Sequence, residues 1–236
     1  MKKDILNKIL IDQEAKTPLA LLTDINSGEQ TVIYHKDAFG PEAKNSELLK
    51  ISRRNMQDNK NRIITVPKSE FFLHVFNPPL RLAIVGAVHI AQPLTQMAKI
   101  AGYDVIVVDP RESFATADRF PNTTIITEWP DDALEQIHID RRTAIVTLTH
   151  DPKLDDPALS LAIESDAFYI GALGSKTTHA SRVDRLKSEG FDEKKINRIH
   201  GPVGLNLHAV SPSEIAISIL AEITATLHAQ EKKAKE

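Results

Sequence analysis

From residue 80 onward the chain repeats one pattern. A short apolar, largely β-branched run is followed by a longer stretch with helical spacing. RLAIV (81–85), DVIVVD (104–109), TTIIT (123–127), TAIVTLT (143–149) and AFYIGAL (167–173) are the apolar runs. HIAQPLTQMAKIAG, DPALSLAIES and KTTHASRVDRLKSEG lie between or after them as helices. Strands apolar on both faces need a sheet covered on both faces, and strand–helix alternation makes that sheet parallel. The pattern therefore predicts an α/β fold: a Rossmann-like parallel sheet with helices on both faces, over residues 79–236. A last long helix starts at Ser211-Pro212-Ser213-Glu214, with Ser211 as N-cap, Pro212 at the first helical position and Glu214 completing a capping box. Its Lys-rich end, EKKAKE, reads as a solvated terminus.

An open parallel sheet binds ligands beyond the carboxyl ends of its strands. That rule selects four places: the Gly86 turn, Asp109, the segment Thr149-His150-Asp151, and the loop Gly171–Lys176. In AIVGAVHIA (83–91), Gly86 stands where a dinucleotide fingerprint has its first glycine, and Ala91 takes the third position. Asp109 follows Gly86 by about twenty residues, the spacing of a ribose-binding acid. Val88, however, occupies the middle position, where a side chain obstructs the approach of a pyrophosphate. The residues thus leave three possibilities open: a working nucleotide site, a shifted one, or a turn that binds nothing. A conventional NAD(P) pose is the reading Val88 disfavours.

In YIGALGSKTTH, Gly171 and Gly174 frame a turn that leads into a helix, with Ser175 and Lys176 at its start. Backbone N–H groups, a helix dipole, a hydroxyl and an ammonium there suit an anion, although a capping serine and a solvated lysine explain the same residues. His150 and Asp151 stand side by side after a strand, able to transfer protons or hold a ligand, while Asp151 also suits a helix N-cap. His89, His179, His200 and His208 show no metal-ligand spacing, and no nucleophile elbow or Walker A sequence occurs. No metal site and no catalytic residue is assigned.

Residues 1–78 differ in texture and predict a small α+β domain. MKKDILNKILIDQEAK reads as a short amphipathic helix without a signal peptide's apolar core. PLALLTDI and QTVIYH flank a hairpin turn, PEAKNSELLKISRRNMQDNK is a helix running into a loop, and NRIITVP and EFFLHVF are two more strands. A net charge of −3 without a basic stripe gives no reason to expect nucleic acid, and no run suits a membrane span. The chain has no cysteine, which excludes disulfides and thiolate ligands and fits the cytoplasm.

Three segments together carry a resemblance: FNPPLRLAIVGAVHIAQPLTQMAKIAGYDVIVVDPR, AIVTLTHDPKLDDPALSLAI, and FYIGALGSKTTHASRVDRLKSEGFDEKKINRIHGPVGLNLHAVSPSEIAISILAEI. In this order they resemble the XdhC/CoxI family, accessory proteins of molybdenum hydroxylases such as xanthine dehydrogenase. The resemblance implies a Rossmann-like carboxyl-terminal domain in a cytoplasmic, often dimeric protein. It also implies binding of molybdenum cofactor, help in its sulfuration with a sulfurtransferase, and delivery to the apo-enzyme. Gly86, His89, Asp109, His150, Asp151, Gly171, Gly174, Ser175, His200, Pro202 and Gly204 match the family's motifs. Lys176 joins them as part of the anion loop. The chain departs from the family at Val88, where members usually have glycine, and in lacking the Gly-Cys segment of the amino-terminal domain. The alternative function is a nucleotide-dependent oxidoreductase or other nucleotide-binding enzyme with His150 as proton donor; a ligand-free interaction scaffold is the third.

Overall fold

The computed structural model describes residues 3–233, apart from Asp58 and Lys68. Met1 and Lys2 of the leading helix and Ala234–Glu236 of the Lys-rich tail lie outside the described residues. The chain divides into two compact units, Met1–Pro78 and Pro79–Glu236.

In the first unit, α1 (Lys3–Glu14) precedes β1 (Leu19–Asp24), β2 (Gln30–Ile33) and β3 (Ala38–Phe39). A 3₁₀ turn at Pro41–Lys44 leads to α2 (Ser46–Gln57), then β4 (Arg62–Val66) and β5 (Ser69–Phe76). The strands form one antiparallel sheet in the order β3-β2-β1-β5-β4. Asp24 shapes the β1–β2 hairpin by accepting the N–H groups of Asn26 and Ser27 at 2.8 and 2.9 Å. Ala20, Leu22, Leu48, Leu49, Phe71 and Leu73 form the core beneath α2.

The second unit contains β6 (Arg81–Val85), α3 (Ala91–Ile100), β7 (Asp104–Val108), β8 (Thr124–Ile126), α4 (Pro130–Ile137) and β9 (Thr143–Thr147). It continues with α5 (Pro152–Glu164), β10 (Tyr169–Ala172), α6 (Lys176–Ser188), α7 (Glu193–Ile196), β11 (Ile199–His200) and α8 (Pro212–Lys233). All six strands are parallel, in the order β11-β10-β9-β6-β7-β8. Numbered within this unit, the order is 6-5-4-1-2-3, the dinucleotide-fold order read from the other edge. The period-2 alternation of the strands explains why they are apolar throughout. Leu82 and Ile84 of β6 face the core that α3 and α8 cover; Ala83 and Val85 face the one covered by α4, α5 and α6.

Helix α8 starts as its sequence dictates. Ser211 Oγ accepts the Glu214 N–H at 3.3 Å, and Glu214 returns a carboxylate oxygen to the Ser211 N–H at 2.9 Å. The short elements β3, α7 and β11 carry no local pattern of their own. Each strand of two residues exists because a longer neighbour presents a free edge, β2 for β3 and β10 for β11. No helix among the described residues is long and apolar enough to cross a membrane.

Candidate functional site

The parallel strands end level. Val85 pairs with Val108 and with Thr147, and Thr147 pairs with Ala172. The segments that follow, at Gly86, Asp109, Leu148–Asp151 and Leu173–Lys176, therefore share one edge.

At the Gly86 turn, φ is +110°, and a Cβ there would lie 2.6 Å from Thr149 Cγ2 and 3.2 Å from the Thr149 backbone nitrogen. Only glycine satisfies both conditions. The strand order reverses between β6 and β9, where a doubly wound sheet opens its ligand crevice. Here Thr149 closes in on Gly86 at that point. Asp109 follows β7 directly and bonds to this turn. It is 0% exposed, accepting the Ala87 N–H at 2.8 Å and the Arg111 N–H at 3.0 Å, and its carboxylate oxygens also receive Arg111 Nε and Nη2 at 2.9 and 2.8 Å. Burial pushes its pKa upward, but these hydrogen bonds and the guanidinium outweigh that and hold it below the ordinary carboxylate range. The acid ties two strand ends together. Val88 is partly buried against the core on the α3 and α8 side, and His89 is exposed.

The anion loop is also differently arranged from the sequence expectation. Gly171 is no turn residue; it lies within β10, where a Cβ would come 2.5 Å from Val203 Cγ2 and 2.8 Å from the Tyr169 ring. Its role is close packing. Gly174 has φ +151° and turns the chain toward α6. Ser175 is the N-cap, accepting the Thr178 N–H at 3.1 Å, so its oxygen is already engaged. Lys176 is exposed and lies outside the cleft described next.

That cleft, of about 280 Å³, opens between the start of α5 and the first two turns of α6. His150, Pro152, Asp155, Thr177, Thr178, Ser181, Arg182 and Arg185 line it. His150 is exposed with φ +61°, and Asp151 caps α5 by accepting the Lys153 N–H at 3.0 Å. Asp155 is held by the Thr149 hydroxyl at 2.6 Å. Arg182, only 2% exposed, donates from Nη2 to the Leu173 carbonyl at 2.9 Å. Its distance to Asp155 Oδ2 is 3.7 Å, beyond hydrogen bonding. Arg182 Nε and Nη1 and Asp155 Oδ2 have no hydrogen-bond partner among the described residues. Burial raises the Asp155 pKa more than Thr149 and Arg182 lower it.

Further along the edge, His200 on β11 stacks on Tyr169, ring centroids 4.6 Å apart. Its Nδ1 lies 3.3 Å from Glu222 Oε1, while Glu222 Oε2 accepts the Tyr169 hydroxyl at 2.5 Å and the Gly204 N–H at 2.8 Å. Burial works to raise the Glu222 pKa, but the hydrogen bonds from His200, Tyr169 and Gly204 bring it below its ordinary value. Gly204, at φ +96°, allows the loop to press against Ser218 and Ile219 of α8. Pro202 follows a cis bond from Gly201.

The sequence-selected residues thus fall into separate groups on one edge. Gly86 and Asp109 form one, His150 lines the cleft while Asp151 caps α5, and His200 and Gly204 meet through Glu222. Asp155, Arg182, Thr177, Ser181, Tyr169 and Glu222 stand beside them without a sequence motif of their own. The available signal was cross-helix charge matching: Asp155-Asp156 on α5 faces Arg182 and Arg185 on α6.

These features define a Rossmann-type domain whose polar groups gather beyond the strand ends, with the cleft beside the switch point. Residues 82–223 match the XdhC Rossmann domain, and the chain belongs to that family. It is 32% identical over 178 residues to a Bacillus subtilis protein named as a probable xanthine dehydrogenase subunit, covering 72% of this chain and 52% of that protein. It is 32% identical over 157 residues to the molybdenum cofactor insertion chaperone PaoD of Escherichia coli, covering 66% of this chain and 43% of that one. The chain thus spans about half or less of these curated relatives. A crystal structure of a xanthine dehydrogenase from Bacillus halodurans superposes with a TM-score of 0.76 at 25% identity, covering 98% of this chain and 68% of that one.

Proposed function

We propose that this protein is an accessory factor for a xanthine dehydrogenase-like molybdenum hydroxylase. It binds molybdenum cofactor, or a related phosphorylated ligand, as cargo and aids its insertion into the apo-enzyme in the cytoplasm. The observation that carries this reading is the extent of the family match. Residues 82–223 include the whole carboxyl edge of the sheet, from the Gly86 turn to Glu222. The relatives' names, one a cofactor insertion chaperone and the other part of a xanthine dehydrogenase, support the same role. A pterin carrying a phosphate suits a cleft with a buried guanidinium and hydroxyl donors. Metal handling by a thiolate does not fit this chain, which has no cysteine. Sulfuration therefore belongs to a separate sulfurtransferase, and delivery to a docked client. A homodimer is the expected carrier.

The oxidoreductase alternative has less support. The Gly86 N–H donates to the Val108 carbonyl at 2.8 Å and the Ala87 N–H to Asp109, so both are engaged before any pyrophosphate arrives. The test is reconstitution. A cofactor-free molybdenum hydroxylase is given molybdenum cofactor with and without the full chain, and its activity is followed. The proposal expects a several-fold higher yield of active enzyme and no NAD(P)-linked turnover by the chain itself. Equal yields, or nicotinamide turnover abolished in His150→Ala, would reverse it.

A further inference from the structure

Helices α5 and α6 face each other with two acid–base pairs, and the two pairs are built differently. Arg185 meets Asp156 through two hydrogen bonds, Nε to Oδ2 at 2.6 Å and Nη2 to Oδ1 at 2.9 Å. One turn earlier on α6, Arg182 and Asp155 are far more buried, each side chain 2% exposed, yet stand 3.7 Å apart. A buried ion pair offsets its desolvation only when hydrogen bonds close it. This pair is buried in the wall of the cleft, with Arg182 Nε and Nη1 and Asp155 Oδ2 all shielded from solvent and unpartnered among the described residues. A group that reaches both side chains must accept hydrogen bonds from a cation and donate one to a carboxylate. Around it, Thr177, Thr178 and Ser181 place hydroxyl-bearing side chains along the first two turns of α6.

We propose that the α5–α6 cleft binds a phosphate monoester carrying one proton, with Arg182, Thr177 and Ser181 donating to its oxygens and Asp155 accepting its P–OH. Sulfate lacks that proton at neutral pH and leaves Asp155 Oδ2 facing another acceptor. A monoester, with its second pKa near 6, carries that proton in its monoanionic form. The inference rests on the accessory-factor reading only for the source of the phosphate: the side chain of a pterin, a nucleotide, or free phosphate. The surrounding charges are consistent with one shared proton. Asp155 is faced by Arg182 and His150; Arg182 by Asp155, Asp156, Arg185 and His179; and Arg111 acts on Asp151 and Asp155 from the neighbouring strand end.

The experiment is a titration of the ¹⁵N-labelled full chain with inorganic phosphate, guanosine 5′-monophosphate, guanosine and sulfate, read at the amides of His150, Asp155, Thr177, Ser181 and Arg182. Phosphate or the nucleotide should shift these amides saturably, with sulfate roughly tenfold weaker or more. The tighter of the two phosphate probes identifies the source. Affinity should fall from about pH 6 to about pH 8 as the proton is lost. Arg182→Met should weaken phosphate by roughly tenfold or more, and Thr177→Val, on the exposed side of the cleft, by a smaller factor with the fold intact. If Arg182→Met does not fold, Thr177→Val and the phosphate–sulfate comparison decide. Sulfate binding as tightly as phosphate, guanosine acting as strongly as its monophosphate, or shifts confined to other residues would overturn the inference. Client reconstitution is a separate readout. Reconstitution that succeeds without phosphate binding rejects the cleft alone, and phosphate binding without reconstitution rejects the accessory role alone.

Discussion

Asp109 follows β7 and joins that strand end to the Gly86 turn. It stands at a ribose acid's spacing, yet its carboxylate is engaged by Ala87 and Arg111 and fully buried. Asp109→Asn removes the charge while keeping the shape, so Arg111 loses its partner. The expected loss is about 1–3 kcal/mol of stability at neutral pH, measured by denaturant unfolding. Because the folded pKa is depressed, the contribution is fully present above the ordinary aspartate value of about 3.9. It is lost as pH falls through the lower folded value. The gap between wild type and variant should therefore stay constant above about pH 5 and narrow on acidification. An unchanged gap down to low pH would show that the carboxylate's charge is not what holds the turn. Sequence spacing found this acid because strand length and the Gly86 turn fix where it falls. It could not reveal that the carboxylate is already engaged, since the Ala87 N–H reaches it only in three dimensions.

The elements were more legible than the contacts between them. Five of the six parallel strands announce themselves through runs apolar on both faces, and α8 through its capping box. The two-residue β11 is invisible because its pairing comes from β10. The α5–α6 cleft was legible only as scattered polar residues. A buried Arg182 and a solvated one look alike on a helix as polar as KTTHASRVDRLKS. Gly171 shows the same limit: a glycine beside Gly174 reads as part of a turn, whereas it serves the packing of β10. Gly171→Ala should therefore press on Val203 and on a Tyr169 ring fixed by Glu222 and His200. The expected cost is about 1–3 kcal/mol in thermal or denaturant unfolding, with phosphate affinity in the cleft retained. A variant of full stability that lost phosphate binding would return Gly171 to the anion site.

For the whole molecule, a parallel unit that belongs to the XdhC Rossmann domain family follows an antiparallel unit that family match does not cover. The proposed work of the protein, holding cargo for transfer, is assigned to the second unit, where the polar groups beyond the strand ends are gathered. The most direct measurement is retention of molybdenum cofactor itself. The full chain is incubated anaerobically with the released cofactor and passed through a size-exclusion column. Molybdenum and oxidised pterin are then quantified in the protein peak. The account predicts that both elute with the protein in near-equal amounts. A peak with no more of either than an unrelated protein retains would contradict it.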